Sequence, residues 1–181
     1  MRILHDMADE EPKRRPKLLD DPEDPFGRIC DVELDFLDGC RFEASYRTRE
    51  GGLLMEEPAP LGPGHGPEAV TLFIASSTYC MASSLNYYLA KARVVPQELS
   101  AKGHVEMTLT EDMFRRIARL DIDIDIVVTE KERKRLMRAL ERFTDLCIIT
   151  ESVKGSFPIN VRVNHPWGTH LTPTDRTDPQ R

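Results

Sequence analysis

Apolar and polar residues alternate in two short runs near the start of the chain, at positions 32–36 and 42–46. Asp38-Gly39 between these runs is a common turn dipeptide, so the pattern predicts a β-hairpin. Another turn, Glu50-Gly51-Gly52, is followed by the short apolar run 53–56. This run is predicted to be a third strand.

A loop rich in proline and glycine comes next. Positions 58–67 hold four prolines and three glycines, a composition that excludes a helix or a central strand. Pro67 suits the first turn of a helix, and the Glu68 carboxylate suits the positive end of its dipole. The apolar segment that follows is therefore predicted to be a long helix, which ends at about Arg93 because Pro96 prevents its continuation.

Two longer runs of alternation, 99–109 and 120–126, predict two long strands with one exposed face. Thr129 and Glu132 then have the spacing of a capping box, which begins a second helix. The apolar stripe of this helix follows the spacing of one helical face and extends it to position 147: Leu136, Leu140, Phe143 and Cys147. Positions 159–163 are predicted to be the last strand.

The predicted order is βββ-α-ββ-α-β, without the repeated βαβ units of a parallel sheet. It indicates an α+β domain with mostly antiparallel sheets. Residues 1–27 combine many charges with four prolines, and residues 168–181 are polar without periodicity. Both ends are predicted to be flexible tails around a folded domain at residues 28–167.

The net charge of the 181-residue chain is −6 and its isoelectric point is near 5.4. Nucleic acids and anionic membranes would be repelled by this average charge, so neither is expected as a partner. There is no signal peptide and no apolar run long enough for a membrane span, so we expect a cytoplasmic protein. In that compartment the four cysteines are expected to be free thiols unless a catalytic cycle oxidises them.

Two cysteines, Cys80 and Cys147, are placed on apolar helical segments that would face one core. A buried cysteine often serves as a small apolar residue, but two thiols in one core also suit dithiol chemistry. A reactive Cys80 would need a positive charge nearby to stabilise its thiolate. The candidates are Arg41, Arg47 and Arg49, although Arg41 and Arg47 lie on the polar side of their strand and solvent exposure is the alternative.

Glu68 precedes Cys80 by 12 residues, which is roughly 18 Å along a straight helix. The two side chains cannot meet within one chain. A role for Glu68 at the Cys80 site would therefore need a second copy of the chain, and the alternative is that Glu68 only stabilises the helix dipole.

Other clusters in the sequence point to no cofactor and no metal. Asp121, Asp123 and Asp125 share a strand face but lack the glycine and terminal glutamate of a calcium loop. The histidines do not pair with cysteines at zinc-ligand spacing, and the glycines of the 58–67 loop lack the lysine of a phosphate-binding loop. Cys30 and Cys40 flank the first strand and are interpreted as incidental.

Three features together resemble the OsmC/Ohr family, which groups osmotically inducible protein C with the organic hydroperoxide resistance proteins. They are the Pro67-Glu68 step into an Ala/Ser-rich helix with Cys80, the second Cys147, and the final stretch 152–161, SVKGSFPINV. The resemblance covers about residues 29–164. It implies an intertwined homodimer whose long helices are wrapped by two sheets, with thiol peroxidase sites at the interface.

The resemblance also implies roles for individual residues. Cys80 matches the peroxidatic cysteine, Cys147 the resolving cysteine, and Glu68 the acid that holds an activating arginine. No arginine occurs between Glu50 and Ala92, where one branch of the family has it. The other branch has it early in the second strand, where Arg41 could serve, with Arg47 and Arg49 as weaker choices.

Two functional hypotheses follow. In the first, the chain is a thiol peroxidase that reduces organic hydroperoxides through a Cys80 sulfenic acid and a Cys80–Cys147 disulfide, with an external dithiol, possibly of lipoyl type, as reductant. In the second, the chain is a catalytically weak OsmC-like module that binds a ligand or senses redox state. The first hypothesis requires Cys80 and Cys147 to approach each other within one chain.

Overall fold

The computed structural model of the chain describes residues 32–46 and 51–173. Its helices and strands occur in this order: β1 (Val32–Asp38), β2 (Arg41–Tyr46), β3 (Leu53–Glu56), α1 (Ala69–Lys91), β4 (Glu98–Leu109), β5 (Arg115–Val127), α2 (Arg133–Leu140), α3 (Ile148–Val153), β6 (Ile159–His165) and β7 (Gly168–Pro173). Cys30, Arg47, Arg49, the N-terminal segment 1–27 and residues 174–181 lie outside the described residues.

The strands form two separate sheets, of order β1-β2-β3 and β4-β5-β6-β7. Every neighbouring pair is antiparallel except β5 and β6, which run parallel because α2 and α3 connect them. The predicted α+β class with mostly antiparallel sheets is confirmed.

The core lies between α1 and the four-stranded sheet. Leu120, Ile122, Ile124 and Ile126 on β5 are almost completely buried, as their alternation predicted. Each such side chain contributes about 1.5–3 kcal/mol relative to an exposed position. Gly103 on β4 allows the sheet and helix to approach closely, because a Cβ atom there would lie 2.1 Å from Thr78 Oγ1 on α1.

The prediction of one continuous second helix ending at Cys147 is wrong. The capping box at Thr129 and Glu132 is present, but α2 ends at Leu140 and a 3₁₀ turn, Phe143–Leu146, precedes Cys147. Residues 141–146 include Phe143, Thr144 and Asp145, which are weak helix formers. The apolar stripe is nevertheless buried as predicted, because packing against α1 does not require an unbroken helix.

The assignment of a tail beginning at residue 168 also needs correction. Residues Gly168–Pro173 form β7, which pairs antiparallel with β6 at the edge of the larger sheet. Gly168 has φ +139°, a conformation that residues with side chains rarely adopt, and it turns the chain back along β6. An edge strand with little burial shows no clear apolar alternation, so its sequence reads as a polar tail.

The three-stranded sheet has one apolar and one polar face. The register places Leu34 opposite Ala44 and Phe36 opposite Phe42 on the apolar face, with Asp38, Arg41 and Glu56 on the other. In a single chain Leu34 and Phe36 are 55% and 64% exposed. This sheet therefore leaves much of its apolar face uncovered.

Candidate functional site

Cys80 and Cys147 meet at the boundary of the core. Cys80 lies in the middle of α1 and is partly buried, while Cys147 immediately precedes α3 and is fully buried. Both thiols are free. Cys80 packs against the core that contains Cys147 and is close enough to affect its ionisation, so the structure brings together the two cysteines that the sequence analysis selected.

The environment of Cys147 keeps its thiol protonated. Burial is the main cause, and the hydrogen bond with Cys80 adds to it, while contacts from Thr150 oppose the shift. Together they raise the pKa of Cys147 to about 11. Cys147 is therefore a poor nucleophile at neutral pH, because the thiolate is the reactive form of a cysteine.

The two cysteines also differ in their exposure to solvent. The Cys147 side chain is 0% exposed, whereas Cys80 lies at the edge of the core cluster. A molecule arriving from solvent reaches Cys80 before Cys147. This geometry suits an attacking thiol at Cys80 and a second thiol at Cys147 that reacts with it afterwards.

Glu68 does not contact the cysteine pair in the chain. It is the residue before α1, and its Oε1 accepts a hydrogen bond of 2.7 Å from the Thr71 hydroxyl. This hydrogen bond lowers the pKa of the exposed Glu68 carboxyl. The expectation that Glu68 of a second copy holds the activating arginine remains a prediction.

Arg41 is paired with a different carboxylate, Glu56, which the sequence analysis did not consider. The two residues are directly opposite in the β2–β3 register, and Arg41 Nε lies 3.4 Å from Glu56 Oε1. The Arg41 Nη1 group also lies 3.3 Å from Asp38 Oδ2. The guanidinium of Arg41 is thus held on the polar face of the three-stranded sheet.

The Pro/Gly loop buries Glu56 completely. Its side chain is 0% exposed, and its Oε2 accepts a 2.7 Å hydrogen bond from the backbone N–H of His65. A Cβ atom at Gly62 would lie 2.4 Å from the Glu57 carbonyl oxygen and 3.1 Å from Glu56 Cγ. Only a glycine lets the loop fold so closely over this carboxylate. The sequence signal was a glutamate at the end of an apolar strand, followed by Glu57 and the Pro/Gly loop.

The remaining candidates are structural. Cys40, in the turn between β1 and β2, is a partly buried free thiol. Asp121 accepts hydrogen bonds from Arg119 and Asn160, and Asp123 is paired with Arg162. These carboxylates are occupied by cationic and amide groups, and the described residues contain no cluster of His, Cys, Asp and Glu suited to a metal ion.

No helix within residues 32–46 and 51–173 is long and apolar enough to cross a membrane. Comparison with curated proteins finds no match to this sequence. Comparison with protein families finds one, "OsmC-like protein", over residues 62–162, which is more than half of the chain.

Several solved structures share the fold. A hypothetical protein from Aquifex aeolicus superposes with a TM-score of 0.61 at 18% identity, covering 76% of this chain and 96% of the other. An OsmC-like protein from Mycoplasma pneumoniae has a TM-score of 0.62 at 12% identity, with the same coverage. The organic hydroperoxide resistance protein OhrB of Bacillus subtilis has a TM-score of 0.53 at 14% identity, covering 76% and 97%.

At these identities the superpositions establish only the fold. The family match is broader evidence, because it includes the α1 segment with Cys80, the Cys147 region and the start of β6. The chain therefore belongs to the OsmC-like protein family.

Proposed function

We propose that this chain is a cysteine-based thiol peroxidase that reduces organic hydroperoxides. The observation that carries the proposal is the proximity of Cys80 and Cys147 within one chain, with Cys147 buried and its pKa raised to about 11. Two neighbouring structures, from Bacillus subtilis and Legionella pneumophila, are named organic hydroperoxide resistance proteins, which agrees with this activity class.

The Cys80 thiolate attacks the distal oxygen of the hydroperoxide. The O–O bond breaks, the alkoxide leaves and takes up a proton as the alcohol, and Cys80 becomes a sulfenic acid. The Cys147 sulfur then attacks the Cys80 sulfur, and the sulfenic oxygen leaves as water with the Cys147 proton. The balance is one hydroperoxide and two thiols converted to one alcohol, one water and one disulfide.

The reaction needs an external reductant to restore the two thiols. A dithiol attacks the Cys80–Cys147 disulfide through a mixed disulfide and leaves as its own disulfide. Because Cys80 is partly exposed and Cys147 is buried, the Cys80 sulfur is the more accessible one for this attack. The family suggests a lipoyl-type dithiol for this role.

Apolar groups around Cys80 suit a substrate with an alkyl or lipid chain. Phe73 on α1 packs against the same core and meets Phe157 edge to face, with ring centroids 6.1 Å apart. An apolar hydroperoxide gains from contact with a partly exposed aromatic ring such as that of Phe73, whereas hydrogen peroxide does not.

We also propose that the active form is a homodimer. The apolar face of the three-stranded sheet is exposed in one chain, and Tyr79 on α1 next to Cys80 is 74% exposed. A second copy can cover both surfaces at once if each chain places its three-stranded sheet on the other's α1. Such an exchange has the closed two-fold symmetry of most homodimers.

Arg41 of the second copy is the proposed activating cation. Its Nη1 group donates to Asp38, whereas its Nε lies 3.4 Å from Glu56 Oε1 without forming a hydrogen bond, so the guanidinium retains donors for another group. A fixed guanidinium stabilises a thiolate and can also bind a peroxide oxygen.

One observation favours the second candidate function, a redox-sensing or ligand-binding module. Arg41 lies on the polar face of its sheet, opposite the apolar face that would pack on a partner. If the guanidinium does not reach Cys80, no cation accelerates the thiol, and the same dithiol would respond slowly to oxidants.

Stopped-flow oxidation of the reduced protein by cumene hydroperoxide distinguishes the two functions. A peroxidase oxidises Cys80 at least about 100-fold faster than free cysteine at the same pH, because its thiolate is stabilised and positioned. Cys147→Ser should still be oxidised at Cys80 but form no intramolecular disulfide, and Cys40→Ser should behave as the wild type. A Cys80 rate equal to that of free cysteine contradicts the peroxidase proposal and supports the module.

A further inference from the structure

Two adjacent serines, Ser76 and Ser77, lie one helical turn before Cys80 on α1. Residues three and four positions apart are neighbours on a helix surface, about 5–6 Å apart at Cβ. Side chains on a helix lean towards its N-terminus, so the Cys80 thiol lies over the turn that carries these two serines. Each serine flanks the thiol on a different side.

The two hydroxyl groups have different surroundings. Ser76 is exposed, and its Oγ donates a 3.0 Å hydrogen bond to the Phe73 carbonyl oxygen. Ser77 is 0% exposed, and its Oγ has no hydrogen-bond partner among the described residues. Because this burial is complete within one chain, a second copy cannot supply the missing partner.

A buried hydroxyl without a partner is uncommon and calls for an explanation. Thr78 Oγ1 is also buried without a partner, but it faces Gly103 on β4, away from Cys80. Ser84 is already used, since its Oγ donates a 2.8 Å hydrogen bond to the Cys80 carbonyl oxygen. Ser77 is thus the hydroxyl beside Cys80 whose proton is not committed elsewhere.

We propose that the Ser77 hydroxyl is a donor to the Cys80 sulfur in its ionised state. A neutral thiol is a weak acceptor, so the hydroxyl has little to bind before ionisation, whereas a thiolate accepts hydrogen bonds strongly. Ser77 keeps its proton throughout: it stabilises the thiolate by a hydrogen bond, and the leaving alkoxide takes its proton from water. This inference rests on the proposed function only in taking Cys80 as the reacting thiol.

The Cys80 thiolate would then have a neutral donor in its own chain, the Ser77 O–H. This donor favours the thiolate without adding a cation to the core. The arginine from the second copy would add to this support and would not be its sole source.

The test is the pH dependence of Cys80 alkylation by iodoacetamide, followed by mass spectrometry of the Cys80 peptide so that other cysteines do not interfere. Ser77→Ala should raise the midpoint pH of Cys80 alkylation by about one unit, which is a tenfold loss of thiolate at neutral pH. Ser76→Ala is the matched control, because it removes the neighbouring hydroxyl that is already bonded to Phe73. Its midpoint should stay at the wild-type value.

Urea unfolding of Ser77→Ala distinguishes a donor from a structural residue. Removing a buried hydroxyl without a partner should leave stability equal or higher, so a raised midpoint in a stable protein supports the donor role. An unchanged midpoint in Ser77→Ala, or an equal shift in Ser76→Ala, overturns it. The alkylation profile does not involve peroxide, so this inference can fail while the peroxidase proposal stands, and the reverse.

Discussion

The four-stranded sheet covers its apolar face with α1, whereas the three-stranded sheet leaves its apolar face in solvent. On β5 Leu120, Ile122, Ile124 and Ile126 are buried, while Asp121 and Asp123 on the other face are paired with arginines. On the three-stranded sheet Leu34 and Phe36 are exposed, while Ala44 and the Glu56 carboxylate are buried. The two sheets thus differ in how much of the apolar face one chain covers.

This difference suggests how the proposed site is divided. The dithiol belongs to the half that is complete in one chain, since Cys80 and Cys147 join the core of the larger sheet. Arg41 belongs to the half whose apolar face needs a cover. The thiol chemistry could therefore exist in a single chain, but its activation by Arg41 requires assembly.

The largest expected effect comes from placing a charge on the uncovered apolar face. Leu34→Lys would remove an apolar contact and bury a lysine at the interface. Because each copy of a symmetric dimer carries the change, the association constant should fall by about 1,000-fold or more. Sedimentation at micromolar concentration should show monomers. Glu33→Lys puts the same residue on the opposite face and should remain dimeric. A monomeric wild-type chain at this concentration would contradict the proposed assembly.

The next effect concerns the arginine. Arg41→Ala should slow Cys80 oxidation by cumene hydroperoxide about 100-fold, comparable to the loss of one preorganised donor to a developing charge. Arg41→Lys should recover little, because an ammonium does not reproduce the two-pronged guanidinium. Arg115→Ala is the control, because Arg115 lies at the exposed start of β5 in the four-stranded sheet and has no proposed role in activating Cys80. If Arg41→Ala oxidises Cys80 at the wild-type rate, Arg41 does not activate this thiol.

The comparison also shows which features a sequence reveals. Alternation identified β1, β2, β4, β5 and β6, a turn followed by a short apolar run identified β3, and the capping box marked the start of the second helical region. Cys80 and Cys147 could be selected because both occur in apolar segments. Their contact depends on α1 packing against the turn before α3, which sequence spacing does not describe.

Features that depend on non-local folding were missed or misplaced. β7 is an edge strand with few buried residues, and the helix break before Cys147 lies within an apolar stripe that continues across it. The burial of Glu56 results from a loop that folds back across the strand, and its pairing with Arg41 results from the β2–β3 register. A single Glu at the end of a strand carries no local sign of either.

Glu56 gives a third test, on stability. Glu56→Gln leaves Arg41 without its buried counter-charge, and breaking a buried pair costs about 3–5 kcal/mol. Because the Arg41 side chain is 38% exposed, water compensates part of this loss, and we expect about 2 kcal/mol in urea unfolding. Glu57→Gln, at the adjacent partly buried residue, should change stability by less than about 0.5 kcal/mol. Equal effects of the two variants would show that the pair with Arg41 does not stabilise the fold.

The smallest effect is expected on the polar face of the larger sheet, where the ion pairs are accessible to water. The hydrogen bond from Arg162 lowers the pKa of Asp123, with burial opposing it. A carboxyl with a depressed folded pKa stabilises the fold above its unfolded pKa of about 3.9, and this stability is lost as pH falls through the folded value. The free energy of unfolding in urea should therefore decrease between pH 6 and pH 3. Arg162→Gln should reduce that decrease by less than about 1 kcal/mol, since the pair is partly exposed. Arg115→Gln should leave this pH-dependent decrease unchanged. If Arg115→Gln alters the decrease more than Arg162→Gln does, the Asp123–Arg162 pair is not its cause.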